Sequence, residues 1–99
     1  MQAMQVFSDN LLKIQDWCPE ALFYIGKDRV IEISDKYLKE HKKSLSSIFI
    51  TVDNGKRFAT NQCWIVKEDS GKFTTMTDRL FKSRYEPVPD SFPDIRKKH

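Results

Sequence analysis

The sequence feature that most constrains the fold is a tight-turn signal between two short hydrophobic runs. Asp53-Asn54-Gly55 follows residues 48–52, in which apolar side chains alternate, and precedes residues 56–59. Asn-Gly accepts the positive φ values that a two-residue primed turn requires, so the pattern predicts a β-hairpin. In this interpretation Phe58, on the returning strand, points inward.

A second turn signal lies at residues 68–71 and separates two more predicted strands, at 63–67 and 73–76. The turn contains Asp-Ser-Gly, which suits the sharp reversal of an antiparallel pair. Residues 64–66 are all apolar, and in a strand Trp64 and Val66 point to one face and Ile65 to the other. Both faces of this strand are therefore expected to be covered.

Helical segments are predicted where apolar residues recur at helical spacing after a capping side chain. They are residues 10–17 after Ser8 or Asp9, residues 36–43 after Ser34-Asp35, and residues 79–84 after Thr77 or Asp78. The first helix should bury Leu11, Ile14, Trp17 and Cys18 on one face. The last should bury Leu80 or Phe81 together with Tyr85.

The remaining strands are predicted at residues 4–7 and in a hairpin formed by residues 21–25 and 30–33. Together these elements predict an α+β fold, in which a small antiparallel sheet of about five to seven short strands packs with an N-terminal and a short C-terminal helix. We expect one domain at residues 1–88. Repeated prolines predict that the basic segment 89–99 is a flexible tail without regular structure.

Length and composition narrow the class of protein. The 99 residues suffice for one core, and 39% hydrophobic with 31% charged residues is typical of a globular domain. The net charge of +3 permits contact with polyanions without requiring it. Cys18 and Cys63 lack paired spacing, which indicates free thiols in a reducing compartment. No apolar run approaches the roughly 18 residues of a membrane span, and residues 1–8 do not predict a secretory signal.

A longer pattern runs through the first helix and the second half of the chain. Its matching residues are Asn10-Leu11, Cys18, Gly55, Trp64-Ile65-Val66, Gly71, Phe73, Phe81 and Tyr85-Glu86-Pro87-Val88. In this pattern the chain resembles small proteins of tailed phages and prophages. The resemblance implies a phage origin, the cytoplasm of the bacterial host and a small α+β fold, but no activity. Two family motifs are replaced here, at residues 61–63 and 74–78, and residues 26–46 have no counterpart in the pattern.

Motifs with known chemistry are not found in this sequence. Phosphate-binding, dinucleotide-binding and nucleophile-elbow signatures are missing, and Cys18, Cys63 and His41 lack metal-site spacing. A nucleophile pair of Cys63 and His41 is weighed against a buried, inert thiol, and the buried thiol is favoured. We therefore expect neither an enzyme nor a bound cofactor or metal.

Three functions remain as hypotheses. The first is a phage accessory protein that binds a bacterial host protein or defence complex as an inhibitor, through residues 34–47 or the basic closing helix. The second is a nucleic-acid-binding module that neutralises phosphates. The third is a structural or assembly protein, with a homodimer through an exposed strand edge at residues 4–7 left open. The candidate partner-binding residues are Lys36, Lys39, Lys42, Lys43, Arg79, Lys82 and Arg84.

The aromatic residues admit two interpretations. Trp17, Trp64, Phe58, Phe73, Phe81 and Tyr85 fit the core by their spacing. With Arg57 and Lys72 they also fit a platform on which bases stack. The core interpretation is favoured.

Overall fold

The computed structural model describes residues 1–98, and within them it contains nine strands in three antiparallel sheets, three α-helices and one 3-10 helix. The strands are β1 Gln2–Gln5, β2 Leu22–Ile25, β3 Asp28–Val30, β4 Ile48–Val52, β5 Arg57–Thr60, β6 Trp64–Lys67, β7 Phe73–Met76, β8 Tyr85–Pro87 and β9 Ile95–Lys97. The helices are α1 Leu11–Trp17, α2 Asp35–Glu40, the 3-10 helix Lys42–Ser47 and α3 Asp78–Arg84. The predicted α+β class is confirmed, with more strands than expected.

The β4–β5 hairpin turns where the sequence predicts. Asn54 and Gly55 have φ angles of 54° and 81°, and the Lys56 amide donates to the Asp53 carbonyl at 3.1 Å. This turn pairs Ile50 with Ala59 and Thr51 with Phe58. Since Ile50 faces the core, Ala59 does too, and Phe58 lies on the opposite face. The prediction that Phe58 points inward is therefore wrong.

The order of strands is β3-β2-β4-β5 in one sheet and β1-β6-β7 in another, with β8 and β9 forming a third. β6 has both faces covered, as predicted. Ile65 belongs to the larger core cluster, which also contains α1 and the inner face of the four-stranded sheet. Val66, on the other face, packs in a second cluster with Ala3, Phe81 and Ile95.

α1 buries Leu11, Ile14 and the adjoining Cys18 in the larger cluster, as its spacing predicts. The cap is different from the one expected. The helix is preceded by Asn10, so neither Ser8 nor Asp9 is the capping residue. The Asn10 side chain instead forms hydrogen bonds with the segment that precedes the helix. It accepts from the Phe7 amide at 2.9 Å and donates to the Gln5 carbonyl at 2.6 Å.

In the middle of the chain, β3 and α2 have boundaries that differ from those predicted. β3 ends at Val30, and the following Ile31 is 96% exposed, so the strand expected at residues 30–33 begins and ends earlier. Ser34 caps α2 through the Tyr37 amide, as predicted. The helix expected to reach residue 43 ends at Glu40 and gives way to the 3-10 helix.

The C-terminal segment forms regular structure, which corrects the expectation of an irregular tail. β9 pairs with β8, and Ile95 is buried in the second cluster. This segment also lies along the free edge of β1, where the Ala3 amide donates to the Pro93 carbonyl at 3.0 Å and the Ile95 amide to the Met1 carbonyl at 3.0 Å. The prolines are accommodated because they lie at the end of β8 and in the loop before β9.

β1 itself begins earlier than residues 4–7. It pairs with β6, and the C-terminal segment lies on its other side. The C-terminal segment therefore covers the outer edge of β1 at residues 1–3, and the homodimer left open at residues 4–7 stays a hypothesis.

Asp78 ties α3 to the three-stranded sheet. Its Oδ1 accepts from Trp64 Nε1 at 2.9 Å and from Gln5 Nε2 at 3.1 Å, and its Oδ2 pairs with Lys82 at 3.0 Å. Thr77 caps the helix through the Leu80 amide, and Phe81 stacks on Trp64 with centroids 3.7 Å apart. The hydrogen bond from Trp64, followed by that from Lys82, lowers the pKa of the Asp78 carboxyl.

We predict that Asp78→Asn weakens the fold at neutral pH and flattens its acid response. A carboxyl whose pKa is lowered by folding contributes stability above its unfolded pKa, and that contribution is lost as pH falls through the folded pKa. Urea midpoints of wild type and variant should differ most near neutrality and converge in acid. The exposed α1 residue Asp16 provides the control, since Asp16→Asn should leave the curve unchanged. Parallel pH curves for Asp78→Asn and wild type would contradict this role.

Candidate interaction surface

The outer face of the four-stranded sheet carries three aromatic side chains, of which Phe58 is exposed while Tyr24 and Phe49 are half-buried. The pairing aligns Tyr24 with Phe49 on neighbouring strands, and the next strand presents Phe58 opposite Thr51. The Tyr24 and Phe49 rings stack in parallel with centroids 4.5 Å apart, and neither ring belongs to a core cluster. Phe58 is 67% exposed. Large apolar groups gathered on one exposed face are typical of interaction sites.

A shallow depression that is open to solvent lies between two of these rings. A depression of about 490 Å³ is lined by Phe49, Phe58 and the threonines beside them. A neighbouring groove of about 470 Å³ shares Phe58 and continues to Met76 and to Leu80 on α3. We call Tyr24, Phe49, Phe58 and Leu80 the apolar surface.

The apolar surface has a cationic rim and a thiol beside it. Lys56 and Arg57 line the groove, and in residues 1–98 neither makes an ion pair. Cys63 also lines the groove, half-buried, with its Sγ 3.4 Å from Thr60 Oγ1. The groove thus combines apolar anchoring area with two cations that are available to an acidic ligand.

The partner-binding residues predicted from sequence are all exposed, but they fall into two groups. Lys36 and Lys39 lie on α2, and Lys42 and Lys43 on the 3-10 helix, which packs against β2. Arg79, Lys82 and Arg84 lie on α3, which packs against β8. In the first group Lys36 pairs with Glu40 at 4.0 Å, and in the second Lys82 pairs with Asp78.

The second group gains cations from the C-terminal segment. The Lys98 amide donates to the Arg84 carbonyl at 2.9 Å, and Lys98 Nζ donates to the Lys82 carbonyl. Lys97 lies opposite Tyr85 in the β8–β9 pair. We call Lys82, Arg84, Lys97 and Lys98 the C-terminal basic cluster. It is denser than the sequence indicated, because a tail expected to be irregular folds back beside α3.

Cys63 and His41, weighed from the sequence as a nucleophile and its base, each contact a different set of residues. His41 stacks on Tyr37 with centroids 4.0 Å apart, and its Nδ1 lies 3.0 Å from the Tyr37 carbonyl oxygen. The expectation that Cys63 is a buried strand residue is wrong: Cys63 precedes β6, is half-buried and lines the groove with Thr60 and Phe58. Burial, with the nearby Glu20 charge, raises the pKa of the Cys18 thiol to about 12, which suits a packing role.

Two further properties bear on the class of partner. Across residues 1–98, no three His, Cys, Asp or Glu side chains are grouped as metal ligands would be. In the same part of the chain, none of the helices has both the length and the apolar character that crossing a bilayer requires.

The apolar surface was missed by the sequence interpretation, although a signal for it exists. The turn at Asn54-Gly55 and the inward alternation of residues 48–52 together fix which residues of β5 face outward. Applying that register places Phe58 beside Phe49. Of the six aromatic residues weighed as core or stacking platform, all but Phe58 pack in or against the core clusters: Trp17, Trp64, Phe73, Phe81 and Tyr85.

Comparisons of the chain with protein-family models, with curated proteins and with solved structures find no match.

Proposed function

We propose that this chain is a phage-encoded accessory protein that works in the cytoplasm of a bacterial host by binding a host protein or defence complex. The observation that carries the proposal is the apolar surface, in which the exposed Phe58 ring adjoins two half-buried rings and a groove lined by cations. Protein interfaces are enriched in aromatic residues and arginine and depend on a few large anchors. The phage-like sequence pattern supports the source of the protein and the kind of partner.

Occupation of a partner's surface fits the placement of the reactive groups. Cys18 is a core residue, His41 is stacked on Tyr37, and Asp78 holds α3 to the sheet. These groups have structural roles in the fold, and the exposed features that remain are contact surfaces. An inhibitor that blocks a host protein needs such a surface and no chemistry of its own.

The test is capture from host lysate with a matched pair of variants. Phe58→Ser removes a 67% exposed ring from the apolar surface, and Ile31→Ser removes a 96% exposed side chain outside it. Both variants should fold, since both side chains are exposed. Wild type and Ile31→Ser should retain the same discrete host protein, and Phe58→Ser should weaken its binding about tenfold or more. Equal retention by all three proteins would count against the apolar surface.

A nucleic-acid-binding function is the second candidate, and the C-terminal basic cluster favours it. The folded tail brings Lys97 and Lys98 beside Arg84 at the end of α3. Cations held close together on one surface can neutralise neighbouring phosphates and release their counterions.

This candidate predicts that DNA binding weakens with salt and requires the C-terminal basic cluster but not the lysines of α2. A fluorescein-labelled DNA duplex, followed by anisotropy at increasing NaCl, should bind wild type with a negative salt slope. The double variant Arg84→Ala/Lys97→Ala should reduce that slope by about 2, because two phosphate contacts are lost. The control Lys36→Ala/Lys39→Ala, on α2, should behave as wild type. Absence of binding at low salt, or an equal loss in the α2 control, would reject the candidate.

A further inference from the structure

The open depression between Phe49 and Phe58, with a volume of about 490 Å³, has room for one large side chain. It lies between two aromatic rings on adjacent strands, with threonines beside them, and opens to solvent. An inserted ring gains contact with both aromatic walls, and such aromatic pairs are stabilised beyond the area they bury. A partner with an aromatic anchor uses this shape best.

The charges near the depression indicate what flanks that anchor. Lys56 lies in the β4–β5 turn, and Arg57, which pairs with Val52, begins β5 on the face opposite Phe58. The two cations reach the apolar surface at the neighbouring groove, which shares Phe58 with the depression. Both line the groove, and neither is neutralised by an ion pair within residues 1–98. Carboxylates in the part of the segment that enters this groove would pair with them, and Arg57 in particular suits bidentate contact with a carboxylate.

We infer that the apolar surface binds an acidic segment of the partner protein, with an aromatic side chain of that segment seated between Phe49 and Phe58. The inference rests on the proposed function and specifies the chemistry of the partner. The groove toward Leu80 accepts the continuation of the segment, and its apolar lining by Met76 and Leu80 suits an aliphatic residue there.

A protein segment fits this surface better than a nucleic acid does. The rim cations Lys56 and Arg57 lie at the turn end of the sheet, and the Glu20 carboxylate is at the same turn, where it accepts from the Asp53 amide at 3.2 Å. A phosphate backbone favours a continuous cationic track along the stacking residues. The mixture of charges here suits a ligand whose acidic groups are confined to particular positions.

The test is a ligand selection, which does not require the partner protein to be identified first. A displayed library of random peptides is selected on the full chain, with Phe58→Ser protein used to remove binders that do not need the apolar surface. The enriched peptides should carry an aromatic residue beside Asp or Glu. Their affinity should fall about tenfold with Lys56→Glu/Arg57→Glu and should be unchanged with Ile31→Ser.

Cys63 provides a direct readout of occupancy. It lines the groove, whereas the Cys18 thiol is buried and has a pKa of about 12. Bound peptide should therefore slow modification of Cys63 by a thiol reagent in wild type, and not in Phe58→Ser. Protection of Cys63 by oligo(dT) in place of the peptides would assign the groove to nucleic acid and overturn the inference.

Enrichment of peptides without the aromatic and acidic residues, or no enrichment at all, would also overturn it. Lysate capture that still depends on Phe58 would then leave the proposed function standing and reject only the acidic, aromatic ligand. If neither the predicted peptide enrichment nor Phe58-dependent capture from lysate is observed, both proposals are rejected.

Discussion

The register of the β4–β5 hairpin is the constraint on which the interaction surface depends. Asn54 and Gly55 adopt the positive φ angles of a tight turn, and the pairing that follows sets Ala59 against Ile50 inside and Phe58 against Thr51 outside. A slip of one residue would exchange these faces, burying the Phe58 ring and exposing Ala59. Because Ala59 is fully buried beside large core residues, the core tolerates only the observed register.

The rest of the fold supports that sheet from one side only. α1 and β6 close the larger core beneath it, while Val66 and Phe81 build the second core on the far face of β6. The C-terminal segment completes this arrangement by covering β1 and pairing with β8. Two cores thus share one central strand, and the Phe58 ring is exposed on the outer face of the four-stranded sheet.

Local signals predicted most of the elements, and long-range contacts account for what was missed. The Asn-Gly turn, the Ser34 and Thr77 caps and the two-sided β6 follow from neighbouring residues alone. The strand at residues 95–97 depends on β8 and β1, which are distant in sequence, so the prolines before it suggested an irregular tail. The candidate site was missed because the aromatic residues were assigned to the core without applying the hairpin register, which alone places Phe58 outside.

The measurement that tests this account most directly is hydroxyl-radical footprinting of the isolated native protein, read residue by residue by mass spectrometry. Phe58, at 67% exposure, should be oxidised rapidly, whereas Phe81, at 1%, should react only after unfolding. Protection of Phe58 to the level of Phe81 would contradict the register, and with it the surface from which the function is argued.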